Sequence, residues 1–154
     1  MTDLLTLTEE LCAVPSVSGS EAALADLVEA RLRERAPQME VVRVGANVIA
    51  RTVGGARLRI VLGGHLDTVP ANSNNATPRR DGDTLHGLGA TDMKGGLAIM
   101  LELAVSIAAN AGARDVHLSM RHKEWLERPQ SGETMVTYDL TGDVSSAPAA
   151  KKQE

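Results

Sequence analysis

The chain is poor in cysteine and aromatic residues, and it carries no excess of basic charge. Its single cysteine, Cys12, excludes an internal disulfide, and the apolar helical pattern around it predicts a small buried side chain in a reducing compartment. The formal net charge is −4, with both signs mixed along the sequence, which argues against a nucleic-acid partner. A chain of 154 residues is long enough to bury one core of its own.

Long hydrophobic runs and a leader pattern are also lacking. The longest apolar stretch, residues 97–109, is interrupted by Glu102 and Ser106 and is too short to span a bilayer, so it predicts a buried helix. The first three residues carry neither a basic region nor an apolar run, which predicts no signal peptide. These absences predict a cytoplasmic protein without a membrane partner.

The hydrophobic pattern predicts an α/β fold in which helices sandwich a sheet. A helix over 4–14 stops at Pro15, and Ser18 and Glu21 have the spacing of a capping box for a second helix with one apolar face. Apolar β-formers separated by glycine turns predict three strands, and a further strand begins at Val116. The three predicted strands are 41–44, 48–53 and 58–62. A polar loop over 69–83 and the apolar helix 95–110 follow them, before the strand that begins at Val116.

Two glycine-rich runs, GGHLDTVP at 63–70 and LHGLGATDMKGG at 85–96, carry the candidate chemistry. In an extended segment, residues two apart face the same side, so His65 and Asp67 can converge, with the carboxylate fixing the imidazole tautomer or serving as a ligand. The two glycines before His65 would let the backbone turn sharply at the carboxyl end of the strand, where α/β proteins place their sites. Asp92, just before the apolar helix, can bridge two cations.

These residues also have simpler interpretations. A lone His-x-Asp triplet recurs by chance, and a single histidine near a strand end is commonly structural. The glycine spacing at 87–92 resembles a dinucleotide fingerprint, but an aspartate stands where the third glycine belongs and would repel a pyrophosphate. Lys94 is either a contact for an anionic substrate or a solvated lysine. Arg79 and Arg80 predict a solvated loop tip, with contact to an acidic substrate as the alternative. His86 lacks the spacing of a ligand.

Taken together, the two runs resemble the first two signatures of the M20 family of metallopeptidases and amidohydrolases, and the resemblance covers residues 1 to about 116. It implies the N-terminal part of a zinc-exopeptidase-like, three-layer α/β/α catalytic domain, incomplete in this chain, with two Zn²⁺ ions per subunit or Co²⁺ in their place. His65 would bind one ion, Asp92 would bridge it to the second, and Asp67 would orient His65. In this family, a glutamate takes a proton from the water that attacks an amide carbonyl.

Within the family, the two runs are most similar to the enzymes that remove succinate from N-succinyl-diaminopimelate on the route to lysine. The deacetylases of N-acetylornithine, which share these signatures, are the next most similar group. The resemblance therefore implies a small N-acyl amino acid as the substrate. It also implies a homodimer formed through a small domain that this chain does not contain.

Beyond residue 116, the chain departs from the family pattern. The next family signature is a Glu-Glu pair, in which the first residue is the general base and the second is a metal ligand. Glu124 falls near the first position, but Trp125 occupies the second. His117, His122 and Glu127 are available as substitute ligands, although no spacing recommends them.

The residue usage changes at the same point. Both aromatic residues, and every lysine except Lys94, follow residue 116. We therefore predict two segments, namely 1–116 as part of the catalytic domain and 117–154 as a divergent tail that is frameshifted or disordered. Because a catalytic zinc uses three protein ligands and a general base contributes about 10²–10⁴ in rate, the expected hydrolytic activity is very low. The alternative is a non-catalytic product that binds metal weakly.

Overall fold

A computed structural model of the chain describes residues 3–53, 59–109 and 115–121, which form three helices, six strands and one π-helical turn. Within these ranges, no helix combines the length and the apolar character that crossing a bilayer requires. The elements in chain order are helix α1 (Leu4–Ala13), helix α2 (Ala22–Arg35), strands β1 (Glu40–Val44), β2 (Asn47–Arg51), β3 (Arg59–His65), β4 (Arg79–Asp81) and β5 (Thr84–His86), the π turn (Ala90–Lys94), helix α3 (Gly95–Ala109) and strand β6 (Asp115–Arg121).

The main sheet has four strands in the order β1-β2-β6-β3. β1 and β2 form an antiparallel hairpin that turns at Gly45, β6 runs antiparallel to β2, and β3 runs parallel to β6. A parallel pair needs a crossover connection, which the π turn and α3 supply. Because β6 lies in the middle of the sheet and continues to Arg121, strand formation crosses residue 116 without a break.

The core lies between the helices and one face of this sheet. α2 contacts β1 and β2, α3 contacts β3 and β6, and α1 packs on α3. The buried apolar stripe predicted for α2 is present, and Cys12 is buried on α1, as predicted. The fully buried core residues include Leu7, Leu11, Leu24, Val28, Val48, Leu97, Leu118 and Met120.

Gly64 allows α3 to approach β3 closely. A Cβ at this position would lie 3.0 Å from Met93 Cε, 3.1 Å from Leu97 Cδ2 and 3.1 Å from Met100 Sδ. The prediction that Gly63 and Gly64 form a turn after the strand is wrong, because both residues belong to β3 and pair with β6. The missing side chain of Gly64 therefore serves helix–sheet packing.

The prediction of a continuous polar loop over 69–83 is also wrong. Strand β4 begins inside this segment and pairs with β5 through a turn at Gly82, whose φ is 56°. Arg79 and Arg80 consequently lie in β4, not at a loop tip. Arg80 Nη1 donates to Asp3 Oδ2 at 3.0 Å, which ties the hairpin to the residue that caps α1.

The capping box predicted before α2 does not form. Helix α2 begins at Ala22 without a side-chain cap hydrogen bond, and Glu21 Oε1 instead accepts from the backbone N–H of Gly19 at 2.6 Å. The Ser18 hydroxyl donates to a distant carboxylate, Asp67 Oδ2. The Ser18 side chain does not cap α2 because the backbone around Ser18 pairs with the segment that follows β3. This pairing directs the Ser18 hydroxyl toward the end of β3.

Candidate metal centre

The candidate site lies where β3 ends beside the π turn. His65 is the last residue of β3, and Asp92 lies within the turn that precedes α3. Although 27 residues separate them along the chain, His65 Nε2 and Asp92 Oδ1 are 2.8 Å apart. The structure thus brings together the two side chains that the sequence predicts as metal donors.

Asp67 lies on the other side of the His65 ring. Its backbone carbonyl oxygen is 3.1 Å from His65 Nδ1, and its Oδ1 is 3.4 Å from the same nitrogen. The side chains of Asp67 and His65 are 7% and 11% exposed, whereas that of Asp92 is 77% exposed. If Nε2 binds a cation, the acceptors behind Nδ1 would hold the ring proton on that nitrogen. This geometry favours an orienting role for Asp67.

The segment after β3 is held by the loop between α1 and α2. Ser18 Oγ donates to Asp67 Oδ2 at 2.7 Å, and the Ser18 backbone N–H donates to Thr68 O at 3.2 Å. In return, the Thr68 N–H donates to Ser16 O at 2.8 Å. Sequence reasoning missed this role of Ser18, because its partner lies 49 residues away and its local spacing suggests a helix cap.

The π turn places Asp92 next to β3. Gly89 precedes the turn with a φ of 76°, and the backbone N–H of Lys94 donates to Gly89 O at 2.7 Å. The peptide bond between Asp92 and Met93 is cis. Met93 Sδ accepts a hydrogen bond from the backbone N–H of His65 at 3.3 Å, so the turn and the strand end are in direct contact.

Lys94 is buried, with 2% of its surface exposed, so both interpretations of it as a surface or substrate-binding lysine are wrong. Its Nζ donates to the carbonyl of Val14, the C-cap residue of α1, at 2.8 Å. A cation at this end of a helix is favoured by the helix dipole. Burial lowers the pKa of Lys94 and raises the pKa of neighbouring Cys12. Lys94 therefore links α1 to the turn that carries Asp92.

His65 and Asp92 fit part of a metal site. An imidazole nitrogen and a carboxylate oxygen are common zinc ligands, and a carboxylate can also bridge to a second ion. Across the part of the chain that the structure describes, no group of three or more His, Cys, Asp or Glu side chains is arranged to hold a metal ion. Of the residues weighed as further donors, His117 is placed in β6. His122 and Glu127 lie outside the described ranges, as do Glu124, the candidate general base, and Trp125, which stands at the family's second glutamate position.

Comparison with known sequences identifies a family and close relatives. The sequence profile of peptidase family M20/M25/M40 matches residues 61–139. The chain is 48% identical over 106 residues to a putative succinyl-diaminopimelate desuccinylase of Mycobacterium tuberculosis, in a match that covers 69% of this chain and 30% of the relative. It is 41% identical over 109 residues to the succinyl-diaminopimelate desuccinylase of Corynebacterium glutamicum, covering 70% and 29%. The chain thus spans about 30% of the length of these curated relatives.

Comparison with solved structures shows the fold. Human carnosine dipeptidase 1 is similar with a TM-score of 0.64 and 17% identity, over 79% of this chain and 32% of that chain. An M20 family metallo-carboxypeptidase of Sulfolobus solfataricus has a TM-score of 0.64 and 18% identity, over 82% and 32%. A dinuclear metal-binding M20 peptidase of Bacillus subtilis has a TM-score of 0.58 and 20% identity, over 76% and 33%. These similarities confirm the predicted class of fold.

Proposed function

The chain belongs to peptidase family M20/M25/M40, and from this premise we propose that it is part of a di-metal hydrolase of N-acyl amino acids. The proposed substrate is N-succinyl-diaminopimelate, which would be cleaved at the amide bond to succinate and diaminopimelate. The relatives at 48% and 41% identity support this choice of substrate. The observation that carries the proposal is the 2.8 Å approach of His65 Nε2 to Asp92 Oδ1 inside the matched segment.

Each residue of the site has a defined part in this proposal. The chemistry that Zn²⁺ or Co²⁺ supplies in such a site is polarisation of the amide carbonyl. His65 would hold one ion through Nε2, and Asp92 would share that ion and a second one through its two carboxylate oxygens. Asp67 keeps the ring in this orientation, because its carbonyl and its carboxylate both face Nδ1.

We expect hydrolysis by this chain to be slow. A catalytic zinc uses three protein ligands and a water, and the described residues bring together His65 and Asp92 without a third donor. A positioned general base contributes about 10²–10⁴ in rate, and Glu124, the candidate for this role, lies outside the described ranges. The two-donor geometry therefore favours one alternative function, a chain that binds metal weakly without turnover.

Metal titration tests the site directly. Calorimetric titration with Zn²⁺ and Co²⁺ should show binding to the wild-type chain and a large loss of affinity in His65→Ala and in Asp92→Asn. His86→Ala is the matched control, because His86 lies in the same glycine-rich run as Asp92 but is exposed in β5. Equal binding by all four proteins, or no binding by the wild type, would contradict the proposed site.

Product analysis then separates the functions. With Zn²⁺ present, release of succinate from N-succinyl-diaminopimelate, lost in His65→Ala, would support the desuccinylase. Release of acetate from N-acetylornithine at a higher rate would assign the deacetylase activity instead. Metal binding that depends on His65 and Asp92 but yields neither product would identify the chain as a weak metal binder.

The division of the chain at residue 116 stays a prediction. Strand β6 continues across it to Arg121, and the family profile matches as far as residue 139. Both observations favour native sequence for some distance beyond 116. Reading the coding DNA around codon 116 in all three frames tests the frameshift, because a second frame that encodes a Glu-Glu pair after the strand would demonstrate it.

A further inference from the structure

We propose that Ser18 is a positioning residue of the candidate metal centre. Through Asp67, it holds the His65 ring with Nδ1 turned toward the protein and Nε2 turned toward Asp92. The part of this inference that concerns metal affinity rests on the proposed function, whereas the part that concerns the ring tautomer does not.

The contact between Ser18 and Asp67 is supported on both sides by backbone pairing. The Ser18 N–H donates to Thr68 O at 3.2 Å, and the Thr68 N–H donates to Ser16 O at 2.8 Å. These hydrogen bonds register the loop between α1 and α2 against the segment after β3. Within that register, Ser18 Oγ reaches Asp67 Oδ2 at 2.7 Å, a distance typical of a charge-assisted hydrogen bond.

The Ser18 hydroxyl and the His65 ring contact different oxygens of Asp67. With Oδ2 engaged by Ser18, Oδ1 is directed toward His65 Nδ1 at 3.4 Å, alongside the Asp67 carbonyl oxygen at 3.1 Å. On the other side, Nε2 faces Asp92 Oδ1 at 2.8 Å. In the neutral ring only one nitrogen carries a proton, so the acceptors at Asp67 and Asp92 compete for it. Because the Asp92 side chain is 77% exposed and solvent competes for it, whereas that of Asp67 is 7% exposed, we expect the proton to lie on Nδ1.

Ser18 itself is exposed, and this separates positioning from stability. In Ser18→Ala, water can replace the exposed hydroxyl as a donor to Asp67, so the carboxylate stays hydrogen-bonded and the free energy of unfolding should change little. Water does not fix the direction of the carboxylate, so the preference for one tautomer should weaken. Partners that orient a metal-ligating histidine typically contribute 10–100-fold to metal affinity, and we expect about a tenfold loss of Co²⁺ affinity in Ser18→Ala.

The experiment compares Ser18→Ala with Ser20→Ala, a control two residues away in the same exposed loop, and with Ser18→Thr, which keeps a hydroxyl. Long-range ¹H–¹⁵N spectra of the metal-free chain, recorded across a range of pH to identify the neutral ring, report the His65 tautomer. Titration with Co²⁺ reports metal affinity. We expect a mixed tautomer and weaker Co²⁺ binding only in Ser18→Ala, with both restored in Ser18→Thr.

Each outcome is decisive. If Ser18→Ala keeps the wild-type tautomer and affinity, Ser18 is only a loop contact and the inference is wrong. If the wild type does not bind Co²⁺, the proposed function fails, while the tautomer of Ser18→Ala still tests the role of Ser18. Should Ser18→Ala not fold, Ser18→Cys offers the same comparison, because it keeps the size of the side chain but donates only weakly.

Discussion

Replacing Gly89 with alanine tests whether the turn that carries Asp92 is built on close packing against the segment after β3. Gly89 has a φ of 76°, and a Cβ there would lie 2.7 Å from Thr68 Cγ2. A left-handed backbone costs a non-glycine residue about 1–2 kcal/mol, and overpacking a buried site costs about 1–3 kcal/mol. Thr68 is buried, so its methyl group has little room to move. We therefore expect Gly89→Ala to lower the free energy of unfolding by about 2–5 kcal/mol.

Two further variants separate the backbone strain from the steric clash. Gly45→Ala, in the turn between β1 and β2, meets a similar backbone at φ 59° with no other atom within 4 Å of the new Cβ. It should therefore cost only about 1–2 kcal/mol. Thr68→Ser removes the clashing methyl at a cost of about 0.8 kcal/mol. In the Gly89→Ala background, it should also relieve the clash, so the coupling energy that a double-mutant cycle measures should be about 1–3 kcal/mol.

Urea unfolding followed by far-ultraviolet circular dichroism, with linear extrapolation to water, provides the four free energies of the cycle. Co²⁺ titration of the folded variants should show weaker binding in Gly89→Ala, because a shift of the turn moves Asp92 relative to His65. Two results would refute the reasoning. One is a cost for Gly89→Ala no larger than that for Gly45→Ala, and the other is simple additivity of Gly89→Ala and Thr68→Ser.

Four other substitutions test the core by the same unfolding assay, and a fifth tests how stability depends on pH. Gly64→Ala places a methyl group 3.0–3.1 Å from three side-chain atoms around α3. The resulting overpacking should lower the free energy of unfolding by about 1–3 kcal/mol. This exceeds the roughly 0.5–1 kcal/mol of stability that alanine gains over glycine in a strand, so the net effect should be destabilising. Gly96→Ala, in the first turn of α3, would place its Cβ 3.1 Å from the end of the flexible Met93 side chain and near no other residue, so it should cost less than Gly64→Ala, and the opposite order would contradict this packing. Leu97→Ala should cost about 2–5 kcal/mol because Leu97 is fully buried, whereas Ile99→Ala on the exposed side of α3 should cost less than about 1 kcal/mol. Burial raises the pKa of the Cys12 thiol above its ordinary value of 9.0. Above that pH the unfolded chain loses this proton first, so the free energy of unfolding should fall as pH rises, and parallel pH profiles for wild type and Cys12→Ala would disprove the effect.

Features encoded by local pattern could be predicted from the sequence. The bounds of α1 and α3 agree with the predicted helices 4–14 and 95–110 to within one residue, because apolar periodicity and helix-ending residues are local signals. The β4–β5 hairpin was missed since each strand is only three residues long and β4 consists entirely of charged residues, so neither gives the extended alternation that marks a half-buried strand. His65 and Asp92 could be proposed together only because each lies in a specific glycine-rich run.

Side chains whose partners are distant in the sequence could not be assigned in this way. Lys94 hydrogen-bonds the carbonyl of Val14, 80 residues earlier, and a lysine beside a helix start is otherwise typical of a solvated surface. Ser18 reaches Asp67 across 49 residues, while its local spacing matches a helix cap equally well. In each pair one member is buried, Lys94 in the first and Asp67 in the second, and burial raises the cost of leaving that polar group unsatisfied.

The orientation of the two candidate metal donors is determined within the described part of the chain. Asp67 faces the inner nitrogen of His65, Ser18 holds Asp67, and Gly89 begins the turn that presents Asp92. None of these contacts requires a ligand from another segment. Pre-organised donors lose little freedom when an ion binds, so the affinity of this chain for a single Co²⁺ measures what one imidazole and one carboxylate contribute by themselves. Further ligands and a general base would then add to a half-site whose geometry already exists, and the same substitutions at positions 18, 65 and 92 should weaken a complete site and this half-site in the same order.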